Sequence, residues 1–313
     1  MSTSQAATGH STPSRPEPAP ETGASVDQHE PAAADGRTRV GGVGVDALTE
    51  EQVVRRVAAA LEAGRGGHIV TPNVDICRLA TADPSLMELV WAAELVVADG
   101  MPLVWAARIL GTPLPERVTG ADLIWALSEL AARRGWPVYL LGGPQGAPQQ
   151  AARELTSRFP ALRVCGAHAP PYGFDTTPAG RDLVRRKVIA ARPRLVFVGL
   201  GFPRQDRLIA DLRGGLPGAW FLGCGAAIAF AAGTAPRAPE WMRRAGLEWA
   251  FRLGSEPGRL ARRYLVDDLP FAVRLLGRSL AERLRAGGFT AERLTAGWFA
   301  AGPGHARGPR PRG

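Results

Sequence analysis

One carboxylate in the chain has a setting suited to acid–base chemistry. It is Asp99, within Leu95-Val-Val-Ala-Asp-Gly-Met-Pro-Leu-Val104. A short apolar run that ends in a turn signal reads as a buried parallel strand. Asp99 is therefore expected at the carboxyl end of that strand, where open α/β sheets build their sites. A carboxylate there can take a proton from a hydroxyl group; it can also simply cap the next helix. Other strand-like runs end in the same way. Thr71 and Asn73 follow His68-Ile-Val70, and Gly142 and Gly143 follow Val138-Tyr-Leu-Leu141. Gly201, Arg204 and Gln205 follow Leu195-Val-Phe-Val198, and Gly223 and Gly225 follow Trp220-Phe-Leu222. Parallel strands put all these ends on one edge of a sheet. The result is one crevice of hydroxyl, amide, carboxylate and open backbone, which makes capping the weaker account of Asp99.

Gly142-Gly-Pro-Gln-Gly146 could cradle a diphosphate at a helix N-terminus, and it could equally be a plain strand-to-helix turn. Its glycine spacing is not the dinucleotide fingerprint. No Walker sequence is present, and no Asp-x-Asp pair follows a strand. Asp267-Asp268 reads as a solvated face. The histidines, His10, His29, His68, His168 and His305, are scattered, which argues against a His-based metal site. Arg252, Arg259 and Arg262 flank Ser255-Glu-Pro-Gly258. Arg259 and Arg262 are three apart and share a helix face. That spacing usually marks a solvated face, but aromatic and leucine neighbours suit a surface that grips phosphate at a membrane interface.

The elements that must position these groups alternate strand and helix. Thr49-Glu-Glu-Gln52 is a capping box, and Val53, Val54, Val57, Ala58 and Leu61 mark one face of the helix after it. Further helices are expected after Asn73, from Pro102 to Leu110, from Asp122 through Leu130 and after Gly146. This pattern predicts an α/β fold: a Rossmann-like, mostly parallel sheet with helices on both faces. Residues 1–38 and 287–313 read as disordered tails, 39–236 as the α/β core and 237–286 as a basic helical appendage. From Arg237 to Arg285, eleven arginines face six acids, a balance of +5.

The 313 residues carry a net charge of +9, and Lys187 is the only lysine. Such a balance suits nucleic acid, anionic lipid or phosphate-bearing substrates. Three cysteines far apart, Cys77, Cys165 and Cys224, fit a reducing compartment rather than a disulfide framework. No secretory signal and no membrane-spanning run is expected.

Several of these segments together carry a resemblance. They are Thr71-Pro-Asn73, Ala98-Asp-Gly100, Pro115-Glu-Arg-Val-Thr-Gly-Ala-Asp122, Gly142-Gly143, Gly201-Phe-Pro-Arg-Gln205, Arg237-Ala-Pro-Glu-Trp241 and Gly246-Leu-Glu-Trp-Ala-Phe-Arg-Leu253. In this order, over about residues 39–275, they resemble the WecG/TagA/CpsF glycosyltransferase family. The resemblance implies an inverting transfer of a sugar such as N-acetylmannosamine from a UDP-sugar to an undecaprenyl-diphosphate-linked saccharide. No metal and no cofactor is implied. By the same resemblance Asp99 matches the general base, and Thr71 and Asn73 match residues near the reacting sugars. Arg117 and Gln205 match residues holding the substrates or the leaving diphosphate. Gly142, Gly143, Gly201, Gly223 and Gly225 are the candidate nucleotide-binding positions, and Arg252, Arg259 and Arg262 match arginines that reach the lipid diphosphate. The implied place is the cytoplasmic face of the plasma membrane, held peripherally; nucleic acid is not an expected partner, and homo-oligomerisation is left open. Two positions depart from the family pattern: Ala229, where many members have aspartate, and Asp206, where glutamate is common. The competing reading is a basic Rossmann-like protein that binds nucleotide or anionic lipid without transferring anything.

Overall fold

The computed structural model describes Met1 and residues 36–287, without the side chains of Arg244 and Arg259. The expected tails lie almost wholly outside the described residues. Six strands form one parallel sheet: β3 (Gly67–Val70), β4 (Leu95–Val96), β5 (Pro137–Gly142), β6 (Arg163–His168), β7 (Leu195–Gly199) and β8 (Trp220–Gly223). Their order is β4-β3-β8-β7-β5-β6. The chain runs outward from β5 to β6 and inward from β7 to β8. The adjacent strands β5 and β7 therefore form a switch point, where such sheets open a crevice beyond their carboxyl ends.

The strands read as continuous apolar runs because both faces of the sheet are covered. Ile69, Leu140, Phe197 and Leu222 point to one face and pack with Val57, Ile124 and Leu155 from the helices Glu50–Glu62, Gly120–Arg134 and Ala147–Arg158. Their sequence neighbours point to the other face. Val70 and Val96 meet Ile76, Val90 and Leu103, while Leu141, Val198 and Phe221 meet Val188 and Ile209. The predicted capping box is present at Thr49, with both reciprocal bonds to Gln52.

A two-stranded antiparallel hairpin precedes the sheet. Its strands are β1 (Thr38–Val40) and β2 (Val43–Val45), so ordered structure begins slightly earlier than the expected boundary. Gly41 and Gly42 both take positive φ, 61° and 80°, the backbone that a two-residue hairpin turn requires. Asp46 then covers the edge strand β4: its N–H donates to Val96 C=O, and its carboxylate accepts from Val96 N–H, each at 2.7 Å. An otherwise open sheet edge is closed by this pairing.

The C-terminal region packs onto the α/β body rather than standing apart from it. Its last helix, Leu269–Arg285, inserts Leu275 into the cluster of Val40, Leu103 and Ala107, with Phe271 and Leu276 alongside. Asp268, expected on a solvated face, is instead buried. There it pairs with Arg78 at 3.3 Å and Arg263 at 3.6 Å, and both arginines also pair with Asp75 at 2.6 Å. Burial, with the nearby Asp75 charge, pushes the Asp268 carboxyl up to about 6. The isolated sequence could not show this, because the partner Arg78 lies 190 residues away.

Leu275→Ala should remove about 2–4 kcal/mol of unfolding free energy, the usual cost of such a cavity. Urea denaturation followed by circular dichroism measures it. A change near zero would mean that the last helix is not part of the cooperative core.

Candidate functional site

Asp99 sits where the strand pattern predicted. Val97 N–H donates to Val70 C=O at 3.0 Å and Asp99 N–H to Pro72 C=O at 2.8 Å, so β3 and β4 remain paired beyond their regular ends. On the other side Val118 N–H donates to Ala98 C=O at 2.9 Å. These bonds bring Thr71, Asn73, Asp99 and Arg117 together from three separate segments. The capping account of Asp99 fails: the helix Met101–Leu110 begins at Gly100 with no side-chain cap. Asn73 does cap. Its Oδ1 accepts from Ile76 N–H at 3.0 Å and starts the helix Val74–Ala82. Thr119 caps Gly120–Arg134 and also donates its hydroxyl to Asp122 Oδ2 at 2.6 Å.

Charge is dense around Asp99. Desolvation pushes its carboxyl up to about 7; Arg117 and Arg252 oppose that rise, and Glu248 and Asp122 add to it. Glu50 is raised to about 7 as well, mainly by burial and then by Asp122 and Glu116. Asp122 meets Arg237 at 2.7 Å and Arg243 at 3.6 Å, while Glu248 meets Arg117 at 3.1 Å and Arg237 at 3.6 Å. Asp122 itself is held below its usual range by Arg237 and Thr119, against the penalty of burial. Asp122, Arg237 and Glu248 lie inside the quoted sequence motifs, but nothing in their spacing foretold that they would meet. The carboxylate–arginine balance leaves Asp99 able to gain or lose a proton near neutral pH.

The strand-end glycines sit close to one another. Gly142 has φ 99°, and a side chain on it would lie 2.6 Å from Gly199 C=O. Gly143 N–H donates to that same carbonyl at 2.8 Å. Gly201 and Gly225 take φ 76° and 53° and face open space. Gln205 ties their loops together: its Oε1 accepts from Gly201 N–H and from Gly225 N–H, both at 3.1 Å. A side chain on Gly223 would strike Gln205 Nε2 at 2.7 Å. Gln205 is therefore buried beneath the crevice loops, with its carbonyl oxygen already engaged. Asp206, beside it, is buried 3.2 Å from His68 Nε2. Arg204 turns away to make two bonds to Asp175, at 2.9 and 3.2 Å, and stacks over the exposed Tyr172. Ala229 is buried in the short helix Ala227–Ala231.

The C-terminal arginines separate. Arg252, on the helix Glu248–Ser255, lies over the Phe230 ring at 5.6 Å and acts electrostatically on Asp99. Arg262 is exposed, at the start of a π-helical turn over Arg262–Asp268. The Arg259 side chain lies outside the described residues; its backbone is in the helix Pro257–Ala261. Among the described residues, no three His, Cys, Asp or Glu side chains are grouped to hold a metal ion.

Gln205→Ala should leave the Gly201 and Gly225 N–H groups without their acceptor and cost about 1–3 kcal/mol. Amide hydrogen exchange at those two glycines should speed up selectively. Unchanged exchange there would show that Gln205 does not tie the loops.

An N-acetylglucosaminyldiphosphoundecaprenol N-acetyl-beta-D-mannosaminyltransferase of Bacillus subtilis (strain 168) is 29% identical over 197 residues, covering 63% of this chain and 75% of that protein. The enzyme of the same name from Bacillus spizizenii is 29% identical over 213 residues, covering 68% of this chain and 80% of its own. Residues 38–285 match the family described as the glycosyl transferase WecG/TagA/CpsF family. With the match running from the first hairpin strand to the end of the last helix, the chain belongs to the WecG/TagA/CpsF family of glycosyltransferases.

Proposed function

We propose that the protein transfers an N-acetylmannosamine-like sugar from a UDP-sugar to an N-acetylglucosamine-bearing polyprenyl diphosphate, with inversion and without a metal. The observation that carries this reading is Asp99: a desolvated carboxylate at the sheet's carboxyl edge, flanked by Arg117 and Arg252. The acceptor and the transferred sugar follow the names of the two relatives. In the reaction Asp99 takes the proton of the attacking hydroxyl as the new glycosidic bond forms. The nucleoside diphosphate leaves from the opposite face of the donor sugar. A base works best with a pKa near the working pH, and partial burial lifts Asp99 to about 7.

The leaving diphosphate carries charge that the protein must meet. Arg117 supplies that in this reading, as a positive end aimed where charge develops, and the loops at Gly142, Gly143, Gly201, Gly223 and Gly225, which carry no side chains at those positions, let the nucleotide come close to the backbone. Thr71 and Asn73 line the sugar side, and Gln205 acts through the loops it ties. Arg252, Arg259 and Arg262 serve the acceptor's diphosphate, which charge-assisted bonds from arginine recognise. The exposed Trp241, Trp249, Leu265 and Val266 beside these arginines suit the cytoplasmic membrane surface. No helix among the described residues is long and apolar enough to cross a membrane.

Asp99→Asn should slow transfer by about 10²–10⁴-fold, the usual worth of a general base, while UDP affinity measured by calorimetry stays the same. For the wild type, kcat/KM should rise with pH through about 7 and then level off, because only the deprotonated form can accept a proton. The sign for stability is opposite. A carboxyl raised above its ordinary value of 3.8 loses folding stability as pH climbs from there to about 7. At pH 8 Asp99→Asn should therefore melt at a higher temperature than the wild type. Near-normal turnover by the variant would remove Asp99 from this role.

Transfer should continue in excess chelator, since the arginines meet the leaving charge in this reading. Complete loss of turnover, restored by magnesium or manganese, would contradict that part of the reading.

A further inference from the structure

Glu248 has no part in the reaction as drawn so far, yet its carboxylate spans two guanidiniums. One oxygen, Oε2, accepts from Arg117 Nη1 at 3.1 Å; the other, Oε1, lies 3.6 Å from Arg237 Nε. The Arg117 and Glu248 side chains are only 15% and 14% exposed. An ion pair this deep is costly to break, because the remaining charge stays buried. The three residues come from different places. Arg117 follows the turn after the helix Met101–Leu110, Arg237 opens the C-terminal region, and Glu248 is the first residue of the helix Glu248–Ser255. That same helix carries Arg252 to Asp99.

We propose that Glu248 is a positioning residue for the transfer: its carboxylate holds Arg117 and Arg237 at the crevice and docks the helix that carries Arg252 beside Asp99. This rests on the glycosyltransferase reading above. The groups that act on Asp99 are Arg117, Glu248, Asp122 and Arg252, and Arg237 lies within electrostatic reach of it. Of the two acids, Glu248 acts on Asp99 more strongly than Asp122 does. Glu248 therefore works in two ways. It occupies the arginine that would otherwise favour ionised Asp99 outright, and it sets a second negative charge near the base. Removing its charge while keeping its shape should ease Asp99 ionisation and loosen Arg117. A residue that only supported the fold would change stability without moving the titration of Asp99.

The test compares full-length wild type, Glu248→Gln and Glu248→Asp by two measurements. The first is a carbon-detected NMR titration of aspartate carboxyls, with Asp99 assigned from the Asp99→Asn spectrum. The second is kcat/KM for sugar transfer from a UDP-sugar to a short-chain lipid-diphosphate acceptor across pH. Glu248→Gln should lower the Asp99 midpoint by about one pH unit. It should also reduce the high-pH plateau of kcat/KM by about ten- to a hundredfold. Glu248→Asp, which keeps the charge but loses reach, should hold the midpoint near wild type and recover part of the plateau. An unmoved midpoint in a folded Glu248→Gln protein overturns the proposal, whatever happens to the rate. If Glu248→Gln does not fold, Glu248→Asp decides alone, and wild-type kcat/KM in that variant overturns it. If the midpoint moves as expected but the wild type transfers no sugar, the transferase reading fails and the proposal for transfer fails with it. The intact wild-type titration then shows that the loss lies in the reaction assigned, not in the electrostatic link.

Discussion

Keeping one carboxylate partly out of water is the constraint the rest of this site answers. Burial alone drives the Asp99 proton on, and too strong a drive would leave the group neutral at working pH. The surrounding charges pull both ways: Arg117 and Arg252 favour ionisation, Glu248 and Asp122 oppose it. The outcome near 7 is a balance between burial at the end of β4 and charges from Arg117, Asp122 and the helix Glu248–Ser255. No single neighbour sets it. The arginines in turn are not idle cations waiting in solvent, since Arg117, Arg237 and Arg243 are each paired with a carboxylate. Glu248 and Asp122 are the carboxylates that hold these guanidiniums.

The C-terminal helices therefore belong to both the fold and the site. Leu275 anchors the last helix in the apolar cluster around Leu103. The Asp75–Arg78–Arg263–Asp268 group ties the π-helical turn to the helix that Asn73 caps. Glu248 ties the preceding helix to Arg117. Buried ion groups of this kind add less to stability than their number suggests, because desolvation offsets attraction. Their effect here is on placement: three contacts along one stretch hold it against the edge of the crevice. Its outer surface exposes Trp249, Leu265 and Val266.

The crevice loops are governed by close backbone packing and by one buried side chain. β5 and β7 end so close together that Gly142 has no room for a Cβ against Gly199. Gln205 then pins the loops after β7 and β8 from below. The N–H groups of Gly143, Gly201 and Gly225 are spent on holding these loops in place, so the crevice wall is preorganised.

Local pattern was enough for most of the architecture. Apolar runs that end in turn residues marked the strands, and the capping box at Thr49 marked a helix start. Those signals depend only on neighbouring residues, so they are legible before the chain folds. Because parallel strands share a direction, the same signals also put Thr71, Asn73, Asp99, Gly142 and Gln205 on one edge. The hairpin at Gly41 and Gly42 has strands of three residues, too short for an alternating pattern to mark them. What the tertiary structure alone decided is which groups face each other. Asp268 read as solvated and is buried, because Arg78 lies far away in sequence. Gln205 read as a ligand for substrate, and its carbonyl oxygen is spent on two glycine amides. Glu248 lies in a quoted motif, but its contact with Arg117 spans 131 positions of chain and is not legible there. Residue type and spacing set local conformation through short-range sterics and hydrogen bonds. The ionisation of a buried carboxylate depends on solvent exclusion and on charges a few ångströms away, and only the folded chain brings those together.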